Sequence, residues 1–132
     1  MFDEVIVAVA EKPQKQTLFT FKQRLDFLKR ATGDFDNVTV EGFKGLTIDY
    51  AAKRRINIII RGLRMISDFE YEFQMALTNR KLSSNIETIF LMPHESYSYL
   101  SSKLIKEAAS LGADISSFVP DFVERALKKK LR

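Results

Sequence analysis

The chain contains no cysteine and only one histidine, His94. The first absence excludes a disulfide framework and a thiolate metal site. The second excludes a multi-histidine metal centre. No apolar run approaches the ~20 residues that a membrane-spanning helix needs. The opening Met1-Phe2-Asp3-Glu4 is acidic and leads directly into a strand-like run, unlike a signal or transit peptide. A cytoplasmic protein without a membrane partner is the resulting expectation. Two phosphate-binding fingerprints are also missing. Neither G-x-x-x-x-G-K-[ST] nor G-x-G-x-x-G occurs, so nothing points to a P-loop or a dinucleotide-binding glycine turn. Charge of one sign is in short supply too: 21 Lys and Arg stand against 17 Asp and Glu, a net +4. That balance suits anionic small molecules and does not indicate nucleic acid.

What is present is a globular composition, 45% hydrophobic and 29% charged over 132 residues. It is enough for a single domain, 1–132, with a real core. Val5 to Ala10 is a continuous β-branched and alanine run that reads as a strand buried on both faces. A polar loop with Pro13 and two lysines follows. Thr20 then caps a helix, and Gln23, three residues on, completes a capping box. Gly33 closes that helix. Val38 to Val40 reads as a second strand, Gly42 and Gly45 as the brackets of a turn, and Ile48, Ala51 and Ala52 as a short helix. Ile56 to Ile60 is the strongest strand and ends at Arg61-Gly62. Asp68 caps a helix to about Leu82. Ile86 to Met92 is a further strand, stopped by Pro93. Ser101 or Ser102 opens one more helix, and Pro120 or Asp121 the last. Its basic end, Lys128-Lys129-Lys130-Leu131-Arg132, reads as a solvated helix terminus with cations at the negative dipole end.

Alternation of strands and helices predicts an α/β fold with a parallel sheet and right-handed crossovers. Ligands in such sheets bind beyond the carboxyl ends of the strands, which directs attention to Ala10–Lys15, Gly42–Thr47, Arg61–Arg64 and Pro93–Ser102. Those segments carry a phosphate-handling set. Arg61-Gly62-Leu63-Arg64 offers guanidinium forks beside a glycine that lets a ligand approach the backbone. Lys15 is a mobile point charge. Ser101 and Ser102 open a helix whose free N–H groups favour an anion. Asp68, Glu70 and Glu72 do not form an acid–base pair, because helical residues two apart do not face each other. His94, in a polar loop without a second ligand, reads as a surface histidine. The Asp68 helix carries two apolar stripes, Phe69-Phe73-Ala76-Leu77 and Tyr71-Met75-Thr78-Leu82, so it packs in more than one direction, with a subunit contact the favoured reading.

Arg61-Gly62-Leu63-Arg64 followed by Ser67-Asp68-Phe69-Glu70-Tyr71-Glu72 resembles the R-G-L-R-x-x-x-D-F-E-Y-E signature of the bacterial phosphopantetheine adenylyltransferases. Ile86-Glu87-Thr88, Phe90-Leu91-Met92-Pro93, Tyr97-Ser98-Tyr99-Leu100-Ser101-Ser102, Lys106-Glu107 and Phe118-Val119-Pro120 are similar to later segments of the same family. The resemblance implies a Rossmann-like nucleotidyltransferase fold and transfer of the adenylyl group of ATP to 4′-phosphopantetheine, giving dephospho-coenzyme A and pyrophosphate. It also implies Mg2+ accompanying ATP, dephospho-coenzyme A or coenzyme A as further ligands, and a homohexamer. By position, Lys15 and Arg61 would hold phosphopantetheine and Thr47 would line its arm. Gly62, Leu63, Arg64, Glu72, Tyr97, Ser98, Tyr99, Leu100, Ser101, Ser102 and Lys103 would hold ATP, with Lys15 and Arg64 in the catalytic role.

The family pattern begins with a strand and a P-G-[TS]-F-D-P-x-T-x-G-H segment, roughly 25–30 residues in all and close to a partial βαβ unit. This chain starts where the family's second strand begins, so the first strand, which would be central in the sheet, and the motif threonine and histidine lie outside it. The alternative this raises is a non-catalytic nucleotide- or pantetheine-binding or assembly module. Gln16-Thr17, where the family often has Lys-Pro, and Lys103, where it often has serine, are smaller departures.

Overall fold

Val5–Ala10 forms β1, as the β-branched run requires, and pairs in parallel with β2, Val38–Phe43. The register sets Val5 opposite Val38 and Ala10 opposite Phe43. In this computed structural model, residues 1–13, 15–64 and 66–131 are described, apart from the side chains of Ile66 and Ser67. Arg132, the last residue of the basic tail, and the side chain of Ser67 in the signature lie outside that set.

Between the two strands runs α1, Phe21–Ala31, opened by Thr20. The Gln23 amide donates to the Thr20 hydroxyl oxygen at 3.2 Å, and the Thr20 amide donates to Gln23 Oε1 at 3.0 Å. The capping box is thus complete. Lys29 and Arg30 sit in the last turn, at the negative end of the helix dipole. Helix α2, Thr47–Lys53, follows β2. β3, Ile58–Gly62, and β4, Glu87–Leu91, form a second parallel pair, with Ile58 opposite Glu87 and Gly62 opposite Leu91. The long α3, Ile66–Leu82, lies between them in sequence. Then come α4, Glu95–Ser98, α5, Ser102–Ser110, and α6, Asp121–Leu131.

The chain divides into two compact units, Met1–Tyr50 and Ala51–Arg132. Val9 and Ile48 are buried in the first, and Ala51, Ile86, Ala109, Ile115 and Leu127 in the second. Ile115, fully buried, follows α5, and Leu127 comes from α6, so the α5–α6 hairpin closes over its own apolar contacts.

Several expectations need correction. The strands are parallel as expected, and among the described residues they form two two-stranded sheets, β1 with β2 and β3 with β4. β1 is not buried on both faces, since only Val9 in it is buried and Ala8 is exposed, and in β3 Ile58 and Ile60 are 36% and 39% exposed. A strand with one partner has a free edge and less cover than a central strand. β3 also starts two residues later than the hydrophobic run and extends through Arg61 and Gly62. Gly42 belongs to β2, not to a turn. A Cβ at Gly42 would stand 2.2 Å from Cζ of Phe21, so this glycine lets the first residue of α1 lie on the strand. Gly45, with φ of 82°, does make the turn, in a conformation that side chains disfavour. Asp68 lies inside the first turn of α3 and does not cap it. The four-residue α4 was not anticipated.

Candidate active site

In the second unit the predicted residues gather at the carboxyl end of β3 and β4. Arg61 leaves the end of β3 and meets Glu72 of α3 in a two-pronged ion pair. Arg61 Nε donates to Glu72 Oε2 at 2.8 Å and Nη2 donates to Oε1 at 2.6 Å. The Glu72 side chain is only 10% exposed and that of Arg61 is 45%. The hydrogen bond to Glu72 raises the Arg61 pKa above its usual value, with charge attraction adding and burial opposing. Two of five guanidinium N–H donors are thereby engaged. Glu72 is an acceptor-only group with both oxygens already facing a cation.

The Leu63 amide donates to the Leu91 carbonyl at 3.0 Å, so strand pairing continues one step past β3. Arg64 then reaches across 36 residues of sequence: its Nη1 donates to the Leu100 carbonyl. Its Nε lies 3.5 Å from Asp68 Oδ2. This link brings the Arg61–Arg64 segment to the Tyr97–Lys103 segment. Ser101 caps α5, accepting from the Leu104 amide at 3.1 Å, while Ser102 and Lys103 are exposed on its first turn. The exposed Tyr99 meets Phe118 edge-on, with ring centroids 6.4 Å apart. His94 is exposed and caps α4, its Nδ1 accepting from the Ser96 amide at 3.2 Å. That is a helix-capping role on the surface.

In the first unit, Lys15 lies exposed in the loop after β1, and Thr47 opens α2 after β2. Both therefore follow carboxyl ends of the same parallel pair. The start of the Lys15 loop is held firmly. The Glu11 amide donates to the Phe43 carbonyl at 2.9 Å, and Lys44 Nζ stands 3.7 Å from Glu11 Oε2. Phe43 stacks on Tyr50, whose hydroxyl donates to Glu41 Oε1 at 2.5 Å.

The sequence reading passes over Arg24 entirely. This α1 residue donates from Nη1 to the Ala10 carbonyl at 2.9 Å and from Nη2 to the Glu11 carbonyl at 3.4 Å. Spacing along α1 gives no sign of it, because the partners are 13 and 14 residues away.

Among the described residues, no group of three His, Cys, Asp or Glu side chains could hold a metal ion. No helix among them is long and apolar enough to cross a membrane.

Residues 1–108 match the cytidylyltransferase-like family model. Together with the parallel strand–helix units and the cationic carboxyl end of β3, this defines a nucleotidyltransferase of Rossmann type. The chain is 52% identical, over all of its length and 82% of the relative's, to a phosphopantetheine adenylyltransferase of Caldanaerobacter subterraneus. It is 54% identical to that of Desulfitobacterium hafniense strain Y51, over 98% of this chain and 79% of the relative. It is 48% identical to that of Hahella chejuensis, over 98% and 81%. The chain belongs to the phosphopantetheine adenylyltransferase family, and is a transferase.

Proposed function

We propose that this protein transfers the adenylyl group of ATP to 4′-phosphopantetheine. The substrate's phosphate oxygen attacks the α-phosphorus, the bond to the β-phosphate oxygen breaks, and pyrophosphate leaves as dephospho-coenzyme A forms. No covalent enzyme intermediate is needed, so the protein's part is positioning and charge stabilisation. The observation that carries this reading is the match to the adenylyltransferase family along the whole chain, with Arg61 and Arg64 at the carboxyl end of β3.

In this reading Arg64, Gly62, Leu63 and the Tyr97–Lys103 segment hold ATP, and Arg64 stabilises charge on the phosphates. Lys15 and Arg61 hold the phosphate of phosphopantetheine, and Thr47 lines its arm. Arg61 has three N–H donors beyond those given to Glu72, enough for a phosphate fork. Glu72, expected from the family pattern to hold ATP, gives both carboxylate oxygens to Arg61 and so orients the guanidinium that holds the phosphopantetheine phosphate. The described residues supply no cage for Mg2+, whose oxygen ligands would come from the nucleotide's phosphates. The family match runs from residue 1 to 108 and so enters both compact units, which supports one adenylyltransferase domain. The cytoplasm, with its ATP, is the fitting compartment.

The test is pyrophosphate release from ATP, with and without 4′-phosphopantetheine, alongside calorimetry of each ligand. Release that depends on phosphopantetheine is expected. Binding of both ligands without release would overturn catalysis and leave a binding module in its place. Failure to bind either would overturn the substrate assignment.

Assembly into a homohexamer belongs to the same proposal. Phe69, Phe73 and Leu77 are 47%, 48% and 48% exposed along one face of α3, and the Phe69 and Phe73 rings stack at 5.6 Å. Such a stripe suits a subunit contact. Phe73→Glu is expected to lower the mass seen by light scattering to that of smaller species; an unchanged mass would remove this face from the contact.

A further inference from the structure

Arg24 has a geometry that the adenylyl-transfer reading leaves unused. Its guanidinium spans two successive carbonyls, those of Ala10 and Glu11, at the point where β1 ends and the Lys15 loop begins. Its Nε is buried without a hydrogen-bond partner. With Ala8, Val9, Ala10, Phe27 and Leu28 it lines an open groove of about 400 Å³. Low local polarity strengthens the two hydrogen bonds it makes. The far end of the loop is tied to the same helix. Phe19 meets Phe27 edge-on at 4.9 Å, Thr17 Oγ1 donates to the Phe19 carbonyl at 3.1 Å, and Thr20 forms the capping box. Lys15 is therefore carried by a segment whose two ends are both fastened to α1, and Arg24 is the fastener at its start.

We infer that Arg24 is a positioning residue for the phosphopantetheine phosphate, acting through Lys15 by fixing the backbone from which the Lys15 loop departs. The inference rests on the reading of Lys15 as a phosphopantetheine ligand. A planar fork holds two carbonyls at once, whereas an ammonium at the end of a flexible stem does not, so Arg24→Lys keeps the charge and loses the clamp.

The experiment is a double-mutant cycle on the full chain, reading the Kd of 4′-phosphopantetheine by calorimetry for Arg24→Lys, Lys15→Ala and the pair. The Kd of ATP is read in parallel. Each single change is expected to raise the phosphopantetheine Kd about tenfold, and the double variant to bind within about twofold of Lys15→Ala alone. ATP affinity stays unchanged. Losses that multiply in the double variant would overturn the inference, as would an unchanged Kd in Arg24→Lys or an equal loss of both ligands. If Lys15→Ala itself binds normally, the reading of Lys15 fails first, and the inference with it. Should Arg24→Lys not fold, Arg24→Gln, which still donates to one carbonyl, carries the same cycle.

Discussion

Arg61→Ala is expected to lose stability and phosphopantetheine binding together. The stability loss follows from what the substitution leaves behind. Glu72 is nine-tenths covered and gives both carboxylate oxygens to Arg61. Removing one member of a buried pair strands the other charge, at a cost of about 3–5 kcal/mol when both are covered. Arg61 is nearly half exposed, so water offsets part of this and about 2–4 kcal/mol is the fitting range. Glu72→Ala should cost less, because the guanidinium it strands already reaches solvent. Urea unfolding of the two variants tests the asymmetry. An unchanged midpoint for Arg61→Ala, or a larger loss for Glu72→Ala, would sink it. Calorimetry should show at least about a tenfold loss of phosphopantetheine affinity for Arg61→Ala, as expected when a charge-assisted phosphate contact disappears. Normal affinity would remove Arg61 from the substrate site.

Lys15→Ala should behave in the opposite way, with a large kinetic effect and almost none on folding. The side chain is exposed, in a loop, and makes no ion pair among the described residues. Surface changes of this kind stay within about 0.5 kcal/mol. As a cation placed on the reacting phosphate, however, Lys15 would stabilise charge that develops in the transition state. Loss of one such group lowers kcat by about 10²–10³-fold. ATP affinity should hold, since its proposed ligands belong to other segments. Steady-state rates with ATP binding measured separately decide the matter: an unaltered kcat excludes a transition-state role, and a matching loss of ATP affinity reassigns the lysine to the nucleotide.

The two variants differ in how readily sequence reveals their partners. β1 was legible to the residue because a six-residue β-branched and alanine run is a local signal. The capping box at Thr20 and Gln23 was legible for the same reason, since both its hydrogen bonds close within three residues. The serine cap at Ser101 and the last helix also followed from local chemistry. The misreadings concern relations that are not local. Gly42 looks like a turn glycine, and only the Phe21 ring explains it. Arg61 looks like a loop residue offering a free fork, but it lies in β3 and faces Glu72 eleven residues on. The Arg24 clamp and the Arg64–Leu100 link span 14 and 36 residues, beyond any helical or strand period. α4 is one turn long, too short for periodicity to register. Candidate site residues came from the strand-end loops and the family resemblance, and the contacts of Arg61 with Glu72 and of Arg64 with Leu100 emerged only from the fold.

The seating of Phe21 over Gly42 has a consequence for how sequences of this kind can drift. A methyl group at 42 would stand 2.2 Å from the tip of the ring, so the ring must turn aside to admit it and the two positions are coupled. An aromatic seated on 42 disfavours a side chain there, while a small aliphatic at 21 releases it. A side chain at 42 should therefore be tolerated best where the ring at 21 has been lost.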